Sequence, residues 1–427
     1  MRAGEISSAE LLQACRARIE LWQPRINAFV DLQQEGQGIP LAHKDMFYRA
    51  GRVSNCGSQI LRGWVARETS TALSRLDAAG FAQIGRLNMS EFAYGPTGHN
   101  EHWGDCRNPW KAECIAGGSS SGSGASVAAR LVFGALGSDT GGSVRLPAAA
   151  CGVSGLKTTW GRVSRHGAMP LSASLDTIGP LARSAEDCAL LLGAIAGHDP
   201  LDPLSSHEPV PDYASLLDEK SSLKVALSSS WIERNAHPEV AAAVLAAARL
   251  FKSTIEVQPP DVDTLSAHCM VVMQAEASAQ HLKWMRERPA DYGSAVRARL
   301  EAGYAIPATV YLEALRLRAV WLERFCATSL SGADLYLLPG LALPVPTLEQ
   351  TGPKGGADMP RLLGEVTRLT RWVNYLGVPA LVVPCGFDSR GLPISVQLVG
   401  RPFSEAALLA AGHAYQRETD WHRRLPA

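Results

Sequence analysis

Apolar residues recur on one helical face near the start of the chain, at Leu11, Leu12, Cys15 and Ile19. Ser7 and Glu10 form a capping box ahead of them, and Pro24 is expected to stop the helix. A strand-like stretch follows, Ile26 to Leu32, then a loop through Gly38-Ile39-Pro40 that leads to Lys44. The pattern next predicts a helix from Thr69 to Ala79, ended by Gly80, and a strand from Phe81 to Gly85. A run of Gly and Ser, Gly117 to Gly124, precedes a small-residue helix, Ala125 to Phe133, and a second Gly-rich turn, Gly137 to Ser143. Ser184 caps a helix through Ile195, and Leu223 to Leu227 reads as a strand. Long helical patterns occupy Pro238 to Phe251 and Asp263 to Arg286. Ala380 to Val383 and the alternating Ile394 to Val399 are predicted strands, and Ser404 caps a last helix.

Strands that alternate with helices point to an α/β fold with a mixed, mostly parallel central sheet flanked by helices. The Pro-rich stretches Pro200 to Pro211 and Pro339 to Pro353 read as surface loops rather than interdomain linkers. One large domain over residues 1–427 is therefore expected.

Composition narrows the function. Apolar residues are 46% and charged residues 19%, a globular balance. Lys+Arg and Asp+Glu are both 41, so no basic surplus exists to hold nucleic acid or an anionic membrane. Met1 to Trp22 lacks the apolar core of a signal peptide, and no apolar run approaches the ~18 residues of a membrane span. The nine cysteines form no Cys-x-x-Cys pair, which fits reduced thiols in a cytoplasm.

Three segments concentrate the chemistry: Gly38 to Asp45 (Gly-Ile-Pro-Leu-Ala-His-Lys-Asp), Gly117 to Gly124 (Gly-Gly-Ser-Ser-Ser-Gly-Ser-Gly) and Gly137 to Pro147 (Gly-Ser-Asp-Thr-Gly-Gly-Ser-Val-Arg-Leu-Pro). Glycine at this density means backbone that turns sharply, and the N–H groups so freed can form an anion-binding nest. A phosphate loop is excluded because no lysine follows either glycine cluster, and Val127 stands where a dinucleotide fingerprint needs its third glycine. Gly118-x-Ser120-x-Gly122 satisfies the nucleophile-elbow pattern, which a Ser/Gly-rich octapeptide meets easily by chance. Asp139-Thr140-Gly141 copies the aspartic-protease tripeptide, but Asp176-Thr177-Ile178 is no second copy. A solvated Ser/Gly loop without chemistry is the bland alternative.

Together the three segments resemble the amidase signature family of Ser–cis-Ser–Lys amide hydrolases. The similarity is densest from Gly38 to about Pro180, through Gly155-Leu156-Lys157 and Gly161-Arg162-Val163-Ser164, and reaches Gly377-Val378-Pro379-Ala380 and Gln397-Leu398-Val399-Gly400. The separations, 75 residues from Lys44 to Ser119 and 24 from Ser119 to Ser143, look like the family's. The resemblance implies Ser143 as nucleophile, Ser119 as a bridging serine on a cis peptide after Gly118, and Lys44 as base. It also implies an oxyanion hole from the N–H groups of Thr140, Gly141, Gly142 and Ser143, with Gly117 alongside, and Asp139 and Arg145 supporting the loop. No cofactor or metal is implied.

The chemistry asks for such a set. A serine hydroxyl is a weak nucleophile that needs a base within reach, and a lysine serves only when neutral. Burial among Ile39, Leu41, Ala42, Met46 and Phe47 is expected to supply that, whereas Asp45 would oppose it if it pointed inward. His43, where relatives carry an aliphatic residue, is read as a packed histidine, and Ser121 and Ser123 replace the glycines of many relatives. His99, His102, Cys106 and Cys114 match no zinc spacing. Tyr94 to Trp110 is expected to be a loop over the site, with Phe92, Tyr94, Trp103 and Trp110, and also Trp372, Asn374 and Tyr375, as lining candidates. With six residues before the Ser7 cap, an N-terminal helix of related chains is expected to be absent. The expected partner is a small-molecule amide, with room for a homodimer. A free-standing amidase is favoured by Gly95 to Asn100 over the A component of a glutamine-dependent tRNA amidotransferase. A binding protein on an inactive scaffold is the non-enzymatic alternative.

Overall fold

The computed structural model describes residues 6–33, 37–218 and 223–427; residues 1–5, the start of the segment read for a leader, lie outside that description. Its strands are β1 (Phe29–Leu32), β2 (Ile39–Lys44), β3 (Phe81–Leu87), β4 (Gly134–Asp139), β5 (Ser154–Lys157), β6 (Thr177–Ala182), β7 (Lys224–Leu227), β8 (Ser253–Glu256), β9 (Leu335–Pro339), β10 (Ala380–Phe387) and β11 (Pro393–Gly400). All join one sheet, in the order β1-β3-β2-β4-β6-β5-β10-β11-β9-β7-β8. The helices are α1 (Ser8–Ile26), α2 (Thr71–Ala78), α3 (Ser121–Ala128), α4 (Arg145–Cys151), α5 (Ala185–Ile195), α6 (Ser229–Asn235), α7 (Pro238–Ala248), α8 (Val262–Glu287), α9 (Ser294–Gly303), α10 (Ala308–Thr328), α11 (Leu348–Thr351), α12 (Met359–Leu376) and α13 (Glu405–Glu418). The result is a single large α/β domain with a mixed sheet flanked by helices.

The sheet is mixed, as expected, but not mostly parallel. Pairings of β2 with β3 and β4, and of β7 with β8 and β9, are parallel, and the other six of ten are antiparallel. Strands buried on both faces read as apolar runs whichever way they point, so the pattern carries no direction. Connections decide it. β10 turns into β11 through Asp388–Leu392, closed by the Asp388 N–H to Leu392 carbonyl bond at 2.8 Å, and so short a turn can only pair strands antiparallel.

Local signals placed α1, α2, α5, α7, α8 and α13, whereas β4–β6, β8, β9, α4, α6 and α9–α12 were not read from the sequence. The Ser7–Glu10 capping box starts α1, which runs past Pro24 to Ile26 and ends at left-handed Asn27. Ser184 accepts the Asp187 N–H at 3.0 Å to start α5. Ser404 stands at the start of α13, although its hydroxyl donates to the Arg401 carbonyl instead of capping. Two differences bear on the site. The segment read as a loop leading to Lys44 is strand β2, and α3 begins inside the Gly/Ser run, at Ser121 rather than Ala125. Small residues there let α3 lie close to the backbone of its neighbours, and all eight of its residues are buried.

Candidate functional site

Lys44 ends β2, between β3 and β4, and its side chain is fully withdrawn from solvent. Its Nζ donates to Ser119 Oγ at 2.6 Å and to Ser138 Oγ at 2.8 Å. Burial pulls its pKa from 10.5 down to about 7, against the opposing carboxylates of Asp176 and Asp139. Asp45 does not point at the lysine; it pairs with Arg86 and accepts the Asn55 N–H. His43 is a packed histidine: its Nδ1 meets Gln83 Oε1 at 3.1 Å, and burial holds its pKa near about 3, leaving it neutral.

Ser119 lies just ahead of α3, and the Gly118–Ser119 peptide is cis. Ser143 sits in the turn between β4 and α4, 8% exposed, with its carbonyl accepting the Ser120 N–H at 3.2 Å. The backbone at Ser119–Ser120 is thus locked beside Ser143. Among the described residues no hydrogen bond joins the two hydroxyls of Ser119 and Ser143.

Asp139 organises the turn. Its carboxylate receives the N–H groups of Gly142, Val144 and Arg145, the Arg145 Nε and Nη2, and Asn374 Nδ2. Burial alone would raise its pKa, but the charge and hydrogen bonds of Arg145, helped by Lys157 and Asn374, hold it well below the usual carboxylate range. Arg145 also donates to Gln397 and Asn374.

One expectation changes here. The Gly142 N–H is committed to Asp139 Oδ1 at 2.8 Å and is not free to receive an oxyanion. Among the described residues the N–H groups of Thr140, Gly141 and Ser143 have no partner, so three donors remain. Gly142 is needed for its shape: φ is +132°, and a Cβ would stand 2.3 Å from Thr370 Oγ1. Gly117 is likewise a packing position, since a Cβ there would stand 2.7 Å from the Leu146 carbonyl oxygen, and it does not line the pocket at Ser143.

That pocket, about 60 Å³, is walled by Tyr94, Leu171, Met270, Met273, Arg299 and Arg371, with Thr140, Gly141 and Ser143 at its floor. It adjoins a groove of about 710 Å³ that shares Tyr94, Gly95 and Arg299. Of the aromatic candidates only Tyr94 reaches the pocket. Phe92 packs against His281, Trp284 and Tyr292; Trp110 donates to the Cys151 carbonyl; Trp372 stacks edge-on with Phe325; Tyr375 donates to the Ala314 carbonyl. Trp103 lies under the Arg62 guanidinium. Sequence reading missed Ser138, Thr370, Arg299 and Arg371. Ser138 lay within a flagged segment, but nothing in a single chain marks distant helical arginines as neighbours of Ser143.

Among the described residues no three His, Cys, Asp or Glu side chains converge as metal ligands. His99 instead meets Asp105 at 3.1 Å and His102 meets Glu91 at 3.1 Å, while Cys106 and Cys114 are buried free thiols. Among the described residues no helix is long and apolar enough to cross a membrane.

Comparison with known proteins shows the family. The Amidase family model matches residues 33–409. The A component of the glutamyl-tRNA(Gln) amidotransferase of Azotobacter vinelandii is 38% identical over 473 aligned residues, covering 100% of this chain and 97% of the relative. A chain from a vestigial protein complex, solved for the evolutionary origins of an s-triazine catabolic enzyme, superposes with a TM-score of 0.90 at 34% identity, covering 97% and 96% of the two chains. The substrate complex of 6-aminohexanoate cyclic dimer hydrolase gives a TM-score of 0.90 at 27% identity, covering 100% and 96%. A match to the family model over most of the chain and relatives above a third identical carry one conclusion: the chain belongs to the amidase family, whose members act on C–N bonds.

Proposed function

We propose that the protein cleaves a carboxamide through an acyl-enzyme on Ser143. Neutral Lys44 takes the Ser119 proton while Ser119 takes that of Ser143, since a hydroxyl both donates and accepts. The Ser143 Oγ–carbon bond forms as the carbonyl π bond opens, and the N–H groups of Thr140, Gly141 and Ser143 receive the oxyanion. The proton returns through Ser119 to the nitrogen as the C–N bond breaks, and water then releases the carboxylic acid. The relay requires the Ser143 hydroxyl to rotate onto Ser119, and catalytic hydrogen bonds commonly tighten only with substrate bound.

The observation that carries this reading is the buried Lys44 amine, at 2.6 Å from Ser119, with its pKa brought down to about 7. Labelling with a fluorophosphonate, read by peptide mass, tests it. Attachment at Ser143, lost in Ser143→Ala, is the expected result; attachment at Ser120 would transfer the role to the nucleophile-elbow serine.

A second reading concerns what surrounds the reaction. The names of the relatives favour the A component of a glutamyl-tRNA(Gln) amidotransferase, working beside protein partners, over the free-standing amidase suggested by Gly95 to Asn100. Both use the same hydrolysis, and both place the chain in the cytoplasm. Affinity purification from cells separates them: a stoichiometric second protein that raises ammonia release supports the former, and full activity of the lone chain supports the latter.

A further inference from the structure

We infer that the substrate amide carries a carboxylate, clamped by Arg299 of α9 and Arg371 of α12, and no ammonium group beside it. This rests on the acyl-enzyme reading above and deepens it by naming the substrate class; it sides with the free-standing amidase against the glutamine-dependent component, whose substrate carries an α-ammonium.

Two guanidinium groups line the chamber that holds Ser143, and no Asp or Glu side chain lines it. Arg299 spends one N–H on the Tyr94 carbonyl, at 2.6 Å, and rests over the Tyr94 ring. Among the described residues Arg371 has no hydrogen-bond or ion-pair partner. Its stem packs on the oxyanion turn, where a Cβ on Gly141 would meet Arg371 Cγ at 3.4 Å. Nearby carboxylates are already engaged. Asp139 is held by Arg145, and Asp176 accepts Thr140 Oγ1, Leu171 N–H and Ser172 N–H. Glu91 accepts Ser58 Oγ and the Gly293 N–H.

Burial and mutual repulsion both disfavour the charge on Arg371, and burial disfavours that on Arg299. Partly buried cations that repel one another are stabilised by an anion between them, and guanidinium forks match a carboxylate in geometry. The Tyr94 hydroxyl, buried in the same wall with no partner, is a further donor without an acceptor. Leu146, Leu171, Met270 and Met273 add apolar wall, and the polar side chains left, Thr140 and Thr367, are neutral, so an ammonium group would find no anionic partner there.

The test compares glutaramic acid, its neutral analogue pentanamide, and L-glutamine, which adds the α-ammonium, by ammonia release from the full-length chain. Glutaramic acid is expected to exceed both in kcat/KM, and pentanamide by about 10²-fold. Arg371→Met and Arg299→Met should each cut the glutaramic acid to pentanamide ratio by about 10²-fold, mainly through KM, with Arg371→Lys recovering part of it. Pentanamide or glutamine cleaved as well as glutaramic acid would overturn the inference. A second measurement uses the unsubstituted protein: glutarate and succinate should slow fluorophosphonate labelling of Ser143. Labelling at Ser143 without that protection overturns the carboxylate clamp alone, whereas no labelling at Ser143 overturns the reaction itself.

Discussion

A lysine amine accepts a proton near neutrality only where its charged form is costly, and Lys44 meets that condition by losing water while keeping two hydroxyl partners. With a pKa of about 7, the base is protonated as pH falls. The limiting kcat/KM should therefore decline about tenfold per pH unit below pH 7, and a profile flat to pH 5 would contradict Lys44 as base. Stability follows the same proton. The folded pKa lies below the ~10.4 of an unfolded lysine, so the unfolded chain binds more protons between those values and stability rises with pH. Lys44→Met should flatten part of that rise in thermal melts from pH 7 to 10, leaving the share of Lys157, also lowered to about 7 by burial. Ser143→Ala should keep the melting temperature and lose ~10⁴-fold or more in kcat.

At the scale of elements, α12 holds the reactive turn in shape. Thr370 donates to the Gly141 carbonyl at 2.6 Å, and Asn374 Nδ2 donates to the carbonyl and the carboxylate of Asp139. Thr370→Val leaves that carbonyl without its donor, at a cost of about 1–3 kcal/mol, and displaces the Gly141 N–H. A fall in kcat with little change in KM is the expected signature of such a positioning residue, read from saturation kinetics. Asp139→Asn removes the charge that satisfies buried Arg145. Breaking a buried pair costs about 3–5 kcal/mol, measurable by urea unfolding at pH 7. Because the Asp139 pKa is depressed on folding, its stabilisation is present above ~3.9 and is lost as pH drops through the folded value.

Across the whole molecule, the site is assembled from segments that the sheet and its helices bring together: β2, the Gly/Ser turn ahead of α3, the turn after β4, α9 and α12. The densest resemblance, residues 38–180, contains Lys44, Ser119 and Ser143 but neither arginine of the pocket nor Asn374. Strand β5 of that segment pairs with β10 from far along the chain. A fragment ending at residue 182 is therefore expected to melt without a cooperative transition in circular dichroism and to resist fluorophosphonate labelling, while the full chain unfolds cooperatively.

Sequence alone pointed to the proposed reactive set, through a resemblance carried by three short segments that hold Lys44, Ser119 and Ser143. It also placed α1, α2, α5, α7, α8 and α13, through caps and apolar periodicity that act over a few turns, but not α9, α10 or α12. Strand direction was illegible, since a strand covered on both faces looks alike either way. So was the commitment of the Gly142 N–H, which depends on where the Asp139 carboxylate turns. The pocket wall was decided only by tertiary structure. Arg299 and Arg371 lie in α9 and α12, two helices not read from the sequence, and only the packing of those helices over the turn brings their charge to the pocket of Ser143.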